Sequence, residues 1–166
     1  MKCGLLGRKL GHSYSKLIHE KLADYVYDLC PLSREEFPVF MKNKSFKAIN
    51  VTIPYKKEVI PYLDEMDENA ASIGAVNTIV NKNGRLIGHN TDFSGFEYMV
   101  RSNHIEISEK KVLVLGTGGA SAAILAVLNK LGASSIVSVS RTGKGGAVTY
   151  EECIACHTDA EVIVNT

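Results

Sequence analysis

The sequence predicts an α/β fold in two parts: an N-terminal α/β part with a mostly parallel sheet, then a partial βαβαβ unit. Three observations carry this. Short apolar runs recur at 2–6, 46–53, 112–115, 136–139 and 162–164, all but the first carrying β-branched residues. Segments with apolar residues at helical spacing alternate with those runs, the order expected of α/β folds. Finally, the pattern changes after the polar break Ser102-Asn103-His104, so the division is expected between 1–103 and 104–166.

The elements follow in order. Lys2 to Leu6 is an apolar run ending at Gly7, read as a first buried strand. A polar loop leads to Ser13-Tyr14-Ser15, and Leu17, Ile18, Leu22 and Tyr25 then recur at helical spacing, with Ser13 or Ser15 as a natural N-cap. Capping explains one serine. Two serines before a helix N-terminus also suit an anion, because hydroxyls, free N–H groups and the helix dipole converge there. Residues 34–43 form a second predicted helix, with Phe37, Phe40 and Met41 on one side. Phe46 to Ile53 is a strand that Pro54 stops, since proline lacks the backbone donor. Lys56 then falls on the first turn of a predicted helix, and residues 56–73 read as helical pieces broken by Pro61. Asn50, Thr52 and Lys56 thus crowd the carboxyl end of a strand, where α/β proteins place chemistry.

Gly74 to Val80 is another expected strand, and Asn83-Gly84 signals a hairpin turn into 85–88. Asn90-Thr91-Asp92 opens a helix through Phe93, Phe96, Met99 and Val100, with Asp92 as the expected N-cap. Val112 to Leu115 is followed by Gly116-Thr117-Gly118-Gly119-Ala120-Ser121 and a helix ending at Gly132. A glycine-rich turn between strand and helix lets backbone approach a pyrophosphate closely. Ser121 stands where a third glycine would serve helix packing, a small change. At the end of the next strand, Ser140-Arg141-Thr142 with Lys144 replaces the acid that would hold a ribose 2′-hydroxyl. Cations there suit a 2′-phosphate, so the expected cofactor is NADP.

Composition excludes several classes. The chain of 166 residues is 45% apolar and 22% charged, with net charge +1. It carries material for a core, no signature of disorder, and no basic face for nucleic acid or membrane. No apolar run reaches the ~18 residues of a membrane span, and Met1-Lys2-Cys3-Gly4 runs straight into a strand, so the cytoplasm is the expected location. Cys3, Cys30, Cys153 and Cys156 are read as reduced thiols. Cys153-Ile154-Ala155-Cys156-His157 spells a haem-attachment pattern, but it follows a helix start at Thr149-Tyr150-Glu151-Glu152 and has no second ligand pair near it. No metal is expected.

Taken together, Gly11-His12-Ser13-Tyr14-Ser15, Asn50–Lys56, Gly74–Thr78, Asn90-Thr91-Asp92 with Gly95, Gly116–Ser121 and Ser140-Arg141-Thr142 resemble the shikimate dehydrogenase family along the whole chain. The resemblance implies an N-terminal substrate domain and a Rossmann-like NADP-binding domain. Its activity would be the NADP(H)-dependent interconversion of 3-dehydroshikimate and shikimate, on the route to aromatic amino acids. It further implies that Ser13 and Ser15 hold the substrate carboxylate. Asn50, Thr52, Asn77 and Asp92 would bond the ring hydroxyls, and Lys56 and Asp92 would flank the group that exchanges a proton. Gly116, Thr117, Gly118, Gly119 and Ala120 would cradle the pyrophosphate, with Ser140, Arg141, Thr142 and Lys144 at the adenosine phosphate. Glu68 matches a position near the cofactor.

Three departures stand out. Lys9 and Lys16 replace prolines around the serine loop, and Ser140 replaces a common asparagine. Family members also continue beyond the third strand of the dinucleotide domain, where this chain closes at Asn165-Thr166, so it is expected to be an N-terminal part. A quinate/shikimate dehydrogenase of broader specificity is the nearest alternative, opposed by the paired serines and Arg141. A non-catalytic shikimate-binding module is the other. A homodimer stays open.

Overall fold

The computed structural model describes residues 2–11 and 13–166, so His12 of the serine-loop motif lies outside the described residues. The chain divides into two compact units, Met1–Thr91 and Asp92–Thr166.

In the first unit the strands are β1 (Cys3–Gly7), β2 (Tyr27–Pro31), β3 (Ala48–Val51), β4 (Glu65–Met66), β5 (Thr78–Lys82) and β6 (Arg85–His89). They form one sheet in the order β2-β1-β3-β5-β6-β4, in which β5 alone runs against the others. The chain leaves β1 through α1 (Ser15–Leu22) to add β2 on one side. It returns through α2 (Glu36–Asn43) to add β3 on the other. Alternation along β3 puts Ile49 and Val51 in the core and leaves Asn50 on the opposite face. Phe37 and Met41 of α2 join that core, with Phe37 stacked on Tyr55 at 4.4 Å between ring centroids. Burying a side chain of that size contributes about 1.5–3 kcal/mol.

The other face is thinly covered. α1 buries none of its residues, and Leu17, Ile18 and Leu22 are exposed. The apolar stripe expected to seal α1 onto the sheet points outward instead. The helix is held through its polar face: Lys16 Nζ donates to the Tyr27 carbonyl (2.8 Å), Glu20 accepts from the Tyr27 N–H (3.0 Å), and His19 stacks on Tyr27 at 4.0 Å. Neither Ser13 nor Ser15 is its N-cap, which is Tyr14; the Ser13 hydroxyl accepts from the Ser15 N–H (3.2 Å).

The expected helix at Lys56 is absent. Residues 53–59 are successive turns, followed by a 3-10 turn at Ile60–Tyr62 and then α3 (Glu68–Ile73). The strand expected from Gly74 begins at Thr78, because Gly74 is the left-handed C-cap of α3 and the Val76 N–H goes to the Lys56 carbonyl. The Asn83-Gly84 hairpin forms as expected, with φ of 53° and 88°.

The second unit contains α4 (Thr91–Ser102, whose first residue belongs to the first unit), β7 (Lys111–Leu115), α5 (Ser121–Lys130), β8 (Ser135–Val139), α6 (Tyr150–Cys156) and β9 (Val162–Asn165). Its sheet is parallel, in the order β8-β7-β9. The division falls before α4 rather than at 103/104 because Val100 and Phe96 pack with Val112, Val114, Ile124 and Leu128. Asp92 sits within the first turn of α4, not at its N-cap. Glu97 of α4 receives Lys130 Nζ at 2.8 Å and Arg101 at 3.0 Å, and Lys130 also lies over the Phe93 ring. On the other face, Cys153 packs with Leu113 and Val139, which explains one cysteine of the haem-like pattern as core. Thr149 and Glu152 cap α6 reciprocally. Among the described residues no helix is long and apolar enough to cross a membrane, and no group of His, Cys, Asp or Glu is arranged to hold a metal.

Candidate active site

Because β5 is reversed, its amino end meets the carboxyl ends of β1, β3 and β6 along one edge of the first sheet. A chain of side-chain bonds runs along this edge. The Tyr27 hydroxyl donates to Asn50 Oδ1 (2.6 Å), and Asn50 Nδ2 donates to Thr78 Oγ1 (3.0 Å). Thr78 donates on to Asn77 Oδ1 (3.1 Å), which also accepts the Thr91 backbone N–H (2.9 Å). Asn77 Nδ2 in turn reaches the Thr91 hydroxyl at 3.0 Å. The partners Tyr27, Thr78 and Thr91 fix the rotamers of the two asparagines. Asn50 retains one N–H and one lone pair beyond these bonds.

Burial raises the Tyr27 hydroxyl from about 10 to about 12, with Tyr25 and Cys3 adding to it. At neutral pH the hydroxyl is protonated and donates to Asn50 Oδ1, with Asn50 Nδ2 turned toward Thr78.

Thr52 follows the last residue of β3 with its N–H on the Leu6 carbonyl (2.9 Å). A Cβ at Gly7 would come within 2.6 Å of its methyl group, so the glycine makes room for it. Lys56 is half-buried, and its carbonyl accepts from Val76 N–H at 2.8 Å, one residue from Asn77. Ser13 and Ser15 are half-buried where the loop after β1 enters α1. Asp92 follows Thr91 in the chain, and Glu68 is exposed in the first turn of α3.

The second unit carries the glycine-rich turn. Gly116 adopts φ 113°, and a Cβ there would lie 2.6 Å from the Thr166 carbonyl oxygen. Only glycine takes this conformation without strain. Thr117, Gly118, Gly119 and Ala120 are exposed. Ala120, the N-cap of α5, supplies no side-chain bond to the helix's first N–H groups, and nothing lies within 4 Å of a Cβ built on Gly118. An open N-terminus beside an empty glycine surface fits a dinucleotide pyrophosphate. Leu115 pairs with Val139, so Ser140-Arg141-Thr142 lies beside this turn. The Ser140 hydroxyl accepts from the Gly143 N–H (3.1 Å), closing a turn that leaves Arg141, Thr142 and Lys144 exposed. These residues fit the 2′-phosphate of NADP better than the bare ribose of NAD.

Sequence reasoning missed Tyr27, because β2 was not foreseen. Thr78 and Thr91 sat inside the Gly74–Thr78 and Asn90–Asp92 motifs, where a threonine flanking each asparagine was the available signal.

Residues 5–79 match the shikimate dehydrogenase substrate binding domain. The NADP(+)-dependent shikimate dehydrogenase of Halothermothrix orenii is 46% identical over 157 residues, 87% of this chain and 53% of the relative. The crystal structure of shikimate dehydrogenase from Aquifex aeolicus is matched over 100% of this chain and 68% of that chain, with 36% identity and a TM-score of 0.84. The Thermus thermophilus shikimate 5-dehydrogenase in complex with NADP(H) and shikimate is matched over the same shares, with 29% identity and a TM-score of 0.82. The chain spans about half the length of the sequence relatives it matches. It belongs to the shikimate dehydrogenase family.

Proposed function

We propose that the chain forms the substrate-binding unit and the first part of the NADP-binding unit of an enzyme that reversibly reduces 3-dehydroshikimate to shikimate. The observation that carries this reading is the fixed row of Asn50, Thr78, Asn77 and Thr91 on the sheet edge that also carries Thr52. Asn50, Thr52, Asn77 and Asp92 bond the ring hydroxyls, and Ser13 and Ser15 hold the carboxylate. Gly116 to Ala120, with Ser140, Arg141, Thr142 and Lys144 at the adenosine phosphate, would hold NADP, which would supply or accept the hydride. Carbonyl reduction puts negative charge on oxygen; the Lys56 ammonium stabilises that charge and moves the proton, together with Asp92. The tie from the Lys56 carbonyl to Val76 steadies the lysine's backbone for this task. The place of work is the cytoplasm.

Calorimetry with shikimate on this chain, beside an NADPH-formation assay, tests the reading. Shikimate is expected to bind, and Lys56→Ala is expected to lower kcat/KM by at least about tenfold, ~1.4 kcal/mol. Absence of shikimate binding removes the substrate assignment, and a smaller loss removes Lys56 from the chemistry. Binding without turnover identifies a shikimate-binding module instead.

A further inference from the structure

The carboxyl ends of β2, β1 and β3 flank an open cavity of about 560 Å³ lined by Arg8, Lys9, Arg34, Thr52, Ile53 and Pro54. It lies at the end of β1, where the chain departs first to one side of the sheet and then to the other. Such switch points are where open α/β sheets take ligands. Its walls are tied together: the Arg8 N–H donates to the Ile53 carbonyl (3.3 Å), the Leu32 N–H to the Gly7 carbonyl (2.9 Å) and the Tyr55 hydroxyl to the Leu32 carbonyl (2.7 Å).

The lining is cationic. Arg8, Lys9 and Arg34 are exposed, and among the described residues none forms an ion pair. The carboxylate that feels two of them is Glu35. It is held below the usual carboxylate range first by its own backbone N–H and the Ser33 hydroxyl, and also by Arg8 and Arg34. Three cations beside Glu35 and Glu58, both of which act on the Tyr55 hydroxyl in the same wall, leave about one uncompensated positive charge, which an anion relieves. Two guanidinium forks match the oxygens of a phosphate bidentately while the lysine acts as a point charge, which favours phosphate over a single carboxylate.

We propose that this cavity is a binding site for a phosphate dianion, free or as the monoester of a small molecule. Ser13, Ser15, Asn50, Lys56 and Asn77 do not line it; Thr52 alone is shared with the residues assigned to shikimate. The proposal does not depend on that assignment, because phosphate binding is read without shikimate.

The test is calorimetry of this 166-residue protein with inorganic phosphate and, separately, glycerol 3-phosphate, at an ionic strength held constant with chloride. Arg141 and the glycine-rich turn offer phosphate a second place, so Arg141→Gln is the reference. Binding is expected to persist in Arg141→Gln and to weaken at least about tenfold in the double variant Arg8→Gln/Arg34→Gln. The tighter of the two ligands identifies whether the natural source is free or esterified phosphate. Should the double variant be unfolded in chloride, the exposed single change Lys9→Gln replaces it, with an expected loss of about threefold. A variant that binds as the wild type does, or a wild type that responds to phosphate no more than to matched chloride, overturns the proposal.

Discussion

β2-β1-β3 in the first unit and β8-β7-β9 in the second have the same arrangement. The earliest strand is central, and the chain visits one side and then the other. The turns that follow the central strands differ. After β1 the chain takes seven residues, Arg8 to Tyr14, to reach α1, and it offers side chains: guanidinium, ammonium and hydroxyl groups. After β7 it takes five, Gly116 to Ala120, and offers almost nothing but backbone. Topology sets where a ligand sits; the turn decides which chemistry meets it. A compact, hydroxylated acid suits directed side-chain bonds, whereas a pyrophosphate suits a row of N–H groups.

The largest expected effect breaks the comparison at its hinge residues. Gly116→Ala forces a Cβ to within 2.6 Å of the Thr166 carbonyl oxygen at φ 113°, and is expected to destabilise the second unit by about 2–4 kcal/mol. Gly7→Ala meets the Thr52 methyl and a Leu10 methyl at 2.6 and 2.7 Å, with the Ile53 carbonyl oxygen at 3.5 Å and no left-handed φ, and is expected to cost less, about 1–2 kcal/mol. Amide exchange in β7 and β1 reads each unit by itself; equal losses would show that the two turns are equally constrained.

Next comes a pH effect confined to the first unit. The Tyr27 hydroxyl is raised from about 10 to about 12, so the fold favours its neutral form. That contribution is complete below pH ~10 and is lost as pH rises toward ~12, by about 2 kcal/mol. Tyr27→Phe is expected to flatten this alkaline fall in unfolding free energy; an unchanged fall assigns it to another group.

Gly118→Ala sharpens the ligand side of the comparison. With nothing within 4 Å of the new methyl group, stability is expected to stay within about 0.5 kcal/mol. NADP affinity, measured by calorimetry, is expected to drop about tenfold as the methyl enters the pyrophosphate surface. Unchanged affinity would move the cofactor elsewhere.

The smallest effect belongs to Glu97, whose carboxyl is held low by Lys130 and then Arg101. Its contribution is present above the ordinary glutamate range and lost as pH falls, opposite in sign to Tyr27. Glu97→Gln is expected to cost about 0.5–1 kcal/mol at neutral pH and less in high salt. A salt-independent cost would point to packing.

Legibility followed burial and local chemistry. Val112 to Leu115 and the turn after it could be read because a buried parallel strand is continuously apolar and a close-approach turn needs glycine. The capping box at Thr149 and the Asn83-Gly84 hairpin are local signals, and both formed. β2 escaped because Tyr27-Asp28-Leu29-Cys30-Pro31 is an edge strand whose only buried residue is Tyr27. α1 had the spacing of an amphipathic helix but faces the opposite way, since its hold on β2 runs through Lys16, His19 and Glu20. The helix expected at Lys56 gave way to turns because Val76, far along the chain, claims the Lys56 carbonyl. Asn50 and Asn77 were visible as residues. Their fixed orientation was not, because it comes from Tyr27, Thr78 and Thr91, and from a reversed strand that no local pattern announces.

The reversal of β5 also leaves the Asn83-Gly84 hairpin at the far ends of β5 and β6, a strand's length from Asn77 and His89. Both turn residues are exposed, and their conformations suit small, flexible residues. The chain can therefore be opened there to carry a fluorophore, an affinity handle or an inserted domain, with the working edge of the sheet left as it is.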